Sequence, residues 1–139
     1  LAAEGCSMWL FFPDCAVSIV AHRDRPGDVL VRGRLRGDVE RFVDGLADTW
    51  EDQAADYCWR AIVSRSTLAA ILSSRAFDME YDNVKAAIPP GDHGRQRWYG
   101  ACWAAGLREQ HAELAAWAVE RDAELAPGPI VSFPPPGRG

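Results

Sequence analysis

The residues most able to hold a charged ligand gather early. The stretch HRDRPGDVLVRGRLR, residues 22–36, puts five arginines into fifteen residues of a chain whose net charge is -5. A guanidinium is planar and always charged, and its parallel N–H pairs match the oxygens of a phosphate or carboxylate. In an extended strand Arg32 and Arg34 point to one face, about 7 Å apart. Arg60 joins them if its own strand pairs with theirs. With Lys85, the single lysine, these form a candidate anion- or partner-binding set: Arg32, Arg34, Arg60 and Lys85. The competing expectation is a solvated face whose arginines are neutralised by the acidic run Asp44, Asp48, Glu51, Asp52 and Asp56.

Catalytic constellations are weak by comparison. There is no G-x-S-x-G, P-loop, G-x-G-x-x-G or H-E-x-x-H pattern. His22 and Asp24 flank the first basic turn, with no nucleophile tied to them. Asp78, Glu80 and Asp82 read as a charge run at a helix start. The histidines (His22, His93, His111) and cysteines (Cys6, Cys15, Cys58, Cys102) are scattered, without zinc spacing. Cys15, Cys58 and Cys102 are expected as reduced, buried small hydrophobes. No catalytic residue, metal or cofactor is therefore expected, and the chain reads as a non-enzyme. Its acidity rules out binding duplex DNA with the whole surface, so phosphate binding is expected only locally. Tyr57 and Trp59 are expected to share a strand face opposite Arg60, chiefly as core.

The elements that must carry these groups follow from periodicity. A chain of 139 residues is one domain by the usual prior. MWLFF (8–12), AVSIVAH (16–22) and DVLVRGR (28–34) read as strands joined by short turns, hence an antiparallel meander. Val39, Phe42, Val43 and Leu46 make 37–46 an amphipathic helix, with Asp38 at its positive end. Residues 47–56 read as an acidic loop and YCWRAIVS (57–64) as a fourth strand. Ser64 or Ser66 then caps a second helix. Residues 78–88 are expected as a short third helix, and one long helix should run from about Gly94 to Leu125. The expected fold is α+β: a four-stranded, mostly antiparallel sheet with helices on one face and a long C-terminal helix. One domain should cover 8–126. Residues 1–7 read as upstream of a start at Met8, and 127–139 as a proline- and glycine-rich tail. The apolar run Met8–Phe12 is too short to span a bilayer, so the expectation is a cytoplasmic protein with no membrane contact.

The long helix raises a second candidate surface. Trp103, Leu107, Leu114 and Trp117 fall on a heptad-like stripe interrupted by Gln110. A helix of about thirty residues is about 45 Å long, more than a four-stranded sheet covers. From Glu109 onward it carries Glu109, Glu113, Glu120, Asp122 and Glu124 against Arg121 alone. Leu114 and Trp117 are thus expected at an interface, with a second copy or a basic partner.

Several segments together resemble a family of small bacterial and phage proteins with no established activity. AVSIVAHRDRPGDVLVRGRLRGDVERF, DYCWRAIVSRSTLAAIL, MEYDNVKAAI and RQRWYGACW are similar to that family's blocks SVVAHRDRP, LLVRAR, DYxxRxxVSR, DYxNFK and RHDAYxxVW, in the same order, over roughly residues 8–108. Tyr81, Asn83 and Lys85 match one block, and Arg95, Tyr99 and Trp103 the last. Gln96-Arg97 replaces that block's His-Asp pair. The resemblance implies the fold and a bacterial or phage origin, and no mechanism. The leading expectation is a small binding protein acting through protein–protein contact, such as a phage-type inhibitor or adaptor with an anti-defence role. The alternative is an RNA- or phosphate-binding module using the arginine face.

Overall fold

The computed structural model describes residues 7–128. Residues 1–6, with Cys6, and 129–139, which hold most of the expected tail, lie outside the described residues. Five strands form one open antiparallel sheet: β1 (Met8–Phe11), β2 (Ala16–Ala21), β3 (Asp28–Gly33), β4 (Thr49–Glu51) and β5 (Trp59–Ser64), in the order β1-β2-β3-β5-β4. Three helices accompany them: α1 (Asp38–Val43), α2 (Arg65–Phe77) and α3 (His93–Leu125). The fold is α+β, as expected, with one strand more than expected.

Alternation in the strands sets the two faces. Val17, Ile19, Val29, Val31, Ala61 and Val63 point one way and are buried. Each valine or isoleucine among them contributes about 1.5–3 kcal/mol when fully buried. Val39, Phe42 and Val43 of α1 and Leu68 and Ile71 of α2 close over them in one cluster. Gly37 starts α1 in the left-handed region at φ 85, which a side chain rarely adopts. Gly33 lets α1 approach β3: a Cβ there would lie 2.9 Å from Val39 Cγ2. Ser64 ends β5 and caps α2, its Oγ accepting from Thr67 N at 3.1 Å.

Three expectations are corrected. The segment read as an acidic loop contains β4, because Thr49 and Trp50 favour extended backbone and pair with the otherwise open edge of β5. At three residues it is a short edge strand, which limits edge-to-edge pairing. The helix expected over 78–88 is instead a series of turns. Asn83 Oδ1 accepts from the backbone N–H groups of Lys85 (3.0 Å) and Ala86 (3.3 Å), a local bond that competes with regular helix. Pro89-Pro90 then ends the segment. Finally, helices do not keep to one face. Ile88, Tyr99 and the half-buried Val84 and Trp98 pack with Phe11 and Ala16, whose strand positions lie opposite the main core.

Backbone contacts divide the chain into two units, Leu1–Tyr99 and Gly100–Gly139. The first holds the sheet, α1, α2 and the first two turns of α3. The second holds the remainder of α3, helical without a break to Leu125.

Candidate functional site

Two charged constellations lie in the first unit, and only one is available to a ligand. The buried one joins α1, α3 and the β1–β2 turn. Asp38 is fully buried and Arg95 is 1% exposed. Arg95 donates to both Asp38 oxygens (3.0 and 2.5 Å), to Asp92 (2.8 Å) and to the Tyr99 hydroxyl (3.3 Å). Asp38 also accepts from Ala16 N at 2.9 Å and from Arg41 at 2.8 Å. The Tyr99 hydroxyl lies 2.7 Å from Phe12 O and 3.0 Å from Cys15 O, and donates its single proton to one of them at a time. Burial opposes the charge on Arg95, but its bonds to Asp38 and Tyr99 and the Asp38 charge outweigh that and raise its pKa. Burial pushes the Tyr99 phenol up to about 12. Its centre, Asp38, Arg95 and Tyr99, is buried and bonded within the protein, so its work is structural. Asp38 does more than face the α1 dipole: it receives Arg95 from 57 residues away.

The second constellation lies on the sheet face opposite the main core. Register pairs Trp9 with Ser18, Ser18 with Arg32, Arg32 with Arg60, and Arg60 with Trp50. Five residues, one from each strand, therefore form a single row across the sheet. Arg32 and Arg60 are brought together as the sequence suggested. Arg32 is half-buried and donates to Ser18 Oγ at 2.8 Å. Its Nε is buried and has no hydrogen-bond acceptor among the described residues. Arg34, one step along β3's direction, is exposed.

Tyr57 organises these arginines. Both Arg32 Cζ and Arg34 Cζ lie 4.3 Å from the centre of its ring, and the ring is 6% exposed. Trp9 packs on it at 5.7 Å, and Arg34 reaches the Trp9 ring at 5.8 Å. Arg60 Nε donates to Tyr57 O at 3.1 Å. Tyr57 thus sits with the arginines and away from Trp59, which packs into the main core. The expectation that the two share a face fails because Tyr57 precedes β5, so strand alternation does not govern it. Stacking holds a guanidinium by its face and leaves its N–H edges available.

Within the described residues this cluster carries no ion pair. Among the described residues no ion pair joins Arg32, Arg34 or Arg60 to an acid; the pairs are Arg25–Asp28, Arg41–Asp38, Arg75–Asp14, Arg95–Asp38 and Arg95–Asp92. Glu51, from the acidic run, bonds instead to Gln53 and Cys58. Lys85 belongs to no strand, so the register does not bring it into the row; it lies in the turns between α2 and α3.

The remaining candidates are simpler. A cleft of about 490 Å³ is lined by Phe12, Asp14, Arg41, Phe42, Arg75 and Tyr81, among others. Its arginines are already engaged: Arg75 pairs with Asp14 at 2.7 Å, and Arg41 donates to Asp14 O at 2.7 Å. Burial opposes the Asp14 charge, but Arg75 outweighs it and holds the carboxyl below its ordinary value. Leu114 and Trp117, in the second unit, are 50% and 54% exposed. Cys15 is a buried free thiol, pushed by burial up to about 12; Cys58 is half-buried and Cys102 exposed. Among the described residues no group of His, Cys, Asp and Glu is placed to hold a metal, and no helix is long and apolar enough to cross a membrane. Compared with family models, curated proteins and solved structures, the chain finds no match in any of the three.

Proposed function

We propose that this is a non-enzymatic binding protein whose working surface is the arginine face of the sheet, and that its partner is anionic there. One observation carries this: Arg32, Arg34 and Arg60 cluster with no ion pair to any described carboxylate, in a chain with 20 acidic and 15 basic residues. Three like charges held together repel one another, and an acidic chain has ample means to neutralise them. Tyr57 supports two of them by stacking, which orders the guanidinium groups before a ligand arrives and reduces the entropy lost on binding. Labelled heparin, a polyanion without bases, tests the proposal. It should bind at low salt and weaken as salt rises, and Arg34→Ala with Arg60→Ala should abolish binding. That double variant should melt within a few degrees of the parent, since Arg34 is exposed and Arg60, half-buried, gives up one hydrogen bond, about 1 kcal/mol. Absence of heparin binding by the parent at low salt would refute the proposal.

Protein–protein contact through α3 is the second reading. It is supported by the exposure of Leu114 and Trp117 beside Glu113 and Glu120, whose charge suits a basic partner better than a second copy. Trp117→Glu should then abolish association while leaving helix content unchanged, as read by light scattering and circular dichroism. A parent that is monomeric and captures no basic partner would remove the support for it.

A further inference from the structure

We infer that the anion taken by the arginine face is single-stranded nucleic acid, with bases stacked on Trp9 and Trp50 and phosphates on Arg34 and Arg60. This rests on the anion-binding reading above and adds the chemistry of the ligand. The row that carries Arg32 and Arg60 ends in a tryptophan at each edge of the sheet, Trp9 on β1 and Trp50 on β4. They are 41% and 42% exposed. Four inter-strand steps separate them, about 19 Å. Each has an arginine beside it. Arg34 lies 5.8 Å from the Trp9 ring, and Arg60 is the register partner of Trp50.

A nucleotide presents a flat base and a charged phosphate close together, and each Trp–Arg couple offers the complement of both. Bases stack on an aromatic platform only when they are unpaired, so a single strand fits where a duplex does not. An acidic peptide would use the arginines but has no comparable need for two half-exposed indoles. Heparin would likewise use only the charges. Because every base has a π-face, stacking of this kind is tolerant of sequence. The protein's net charge of -5 opposes any polyanion at long range, so binding should be strongest where it is locally held by the row.

The test is fluorescence anisotropy with labelled oligouridine, labelled oligodeoxythymidine, labelled duplex DNA and heparin, all on the full chain. Both single strands should bind, and the duplex should bind at least about tenfold more weakly. Trp9→Ala and Trp50→Ala should each weaken single-strand binding by about tenfold, and Trp50→Ala should leave heparin binding unchanged. Arg34→Ala and Arg60→Ala should each reduce the salt slope by about 0.7, the value for one phosphate on a single strand. Trp9 also packs on Phe11, Tyr57 and Trp98. If Trp9→Ala unfolds, Trp50→Ala on the short edge strand decides the matter alone. Equal binding of duplex and single strand, with no effect of Trp50→Ala, would overturn the nucleic-acid assignment while heparin binding still upheld the anion face. No binding of any of the four ligands would overturn both.

Discussion

Replacing Arg95 by methionine keeps much of its apolar stem and removes its charge from a site only 1% exposed. Four hydrogen bonds go with it: two to Asp38, one to Asp92 and one to Tyr99. Asp38 stays fully buried and keeps two partners, Ala16 N at 2.9 Å and Arg41 at 2.8 Å. Breaking a buried ion pair from one side costs about 3–5 kcal/mol. Arg41 still compensates the carboxylate, although its side chain is 45% exposed. The loss should therefore fall near the lower end, about 3 kcal/mol. For a domain of this size each kcal/mol is worth about 3–5 °C, so the melting temperature should drop by about 10–15 °C. Urea unfolding and thermal melts followed by circular dichroism measure both numbers. The double variant Asp38→Asn with Arg95→Met should cost less in total than the two single losses added, by at least about 1 kcal/mol, because each removes the other's need for a partner. A melting temperature within a few degrees of the parent, or strict additivity, would refute the assignment of this pair as the tie between α3 and α1.

Stability should fall in alkali through Cys15 and Tyr99. Both hold their protons more tightly when folded, so their contribution is complete below the ordinary values of 9.0 and 10.0 and is lost as pH rises through about 12; melts from pH 8 to 12 check this, and a flat profile would contradict it. A maleimide should modify Cys102 quickly and Cys15 only after unfolding, as located by peptide mass spectrometry, because one is exposed and the other fully buried. Ser64→Ala should cost about 1 kcal/mol by removing the α2 cap, measured by urea unfolding; a neutral result would mean that Ser66 takes over the cap.

The strands with one buried face were legible in the sequence. Val17 and Ile19, or Val29 and Val31, alternate with residues of the other face, and that period implies an extended chain. The same alternation put Arg32 and Arg34 on one side. β4 was not legible, because a three-residue edge strand flanked by acids has no period of its own and is defined by its pairing with β5. The turns at 78–88 were hidden by good helix formers, whose preference Asn83 and the two prolines override locally. Tyr57 could not be assigned to the arginine cluster, since it lies outside the strand whose alternation would place it. The Asp38–Arg95 pair spans 57 residues and depends on tertiary approach, so the sequence showed Asp38 only as a helix-start acid. Arg95 and Tyr99, four residues apart on α3, form one buried network.

The indole N–H signals of the six tryptophans test the binding face most directly. They are read in a nitrogen-labelled sample titrated with oligouridine at low salt. Trp9 and Trp50 should shift progressively and saturate together, while Trp59 in the main core and Trp117 on α3 hold their positions. Movement of Trp117 with Trp9 and Trp50 unchanged would contradict the sheet face as the site.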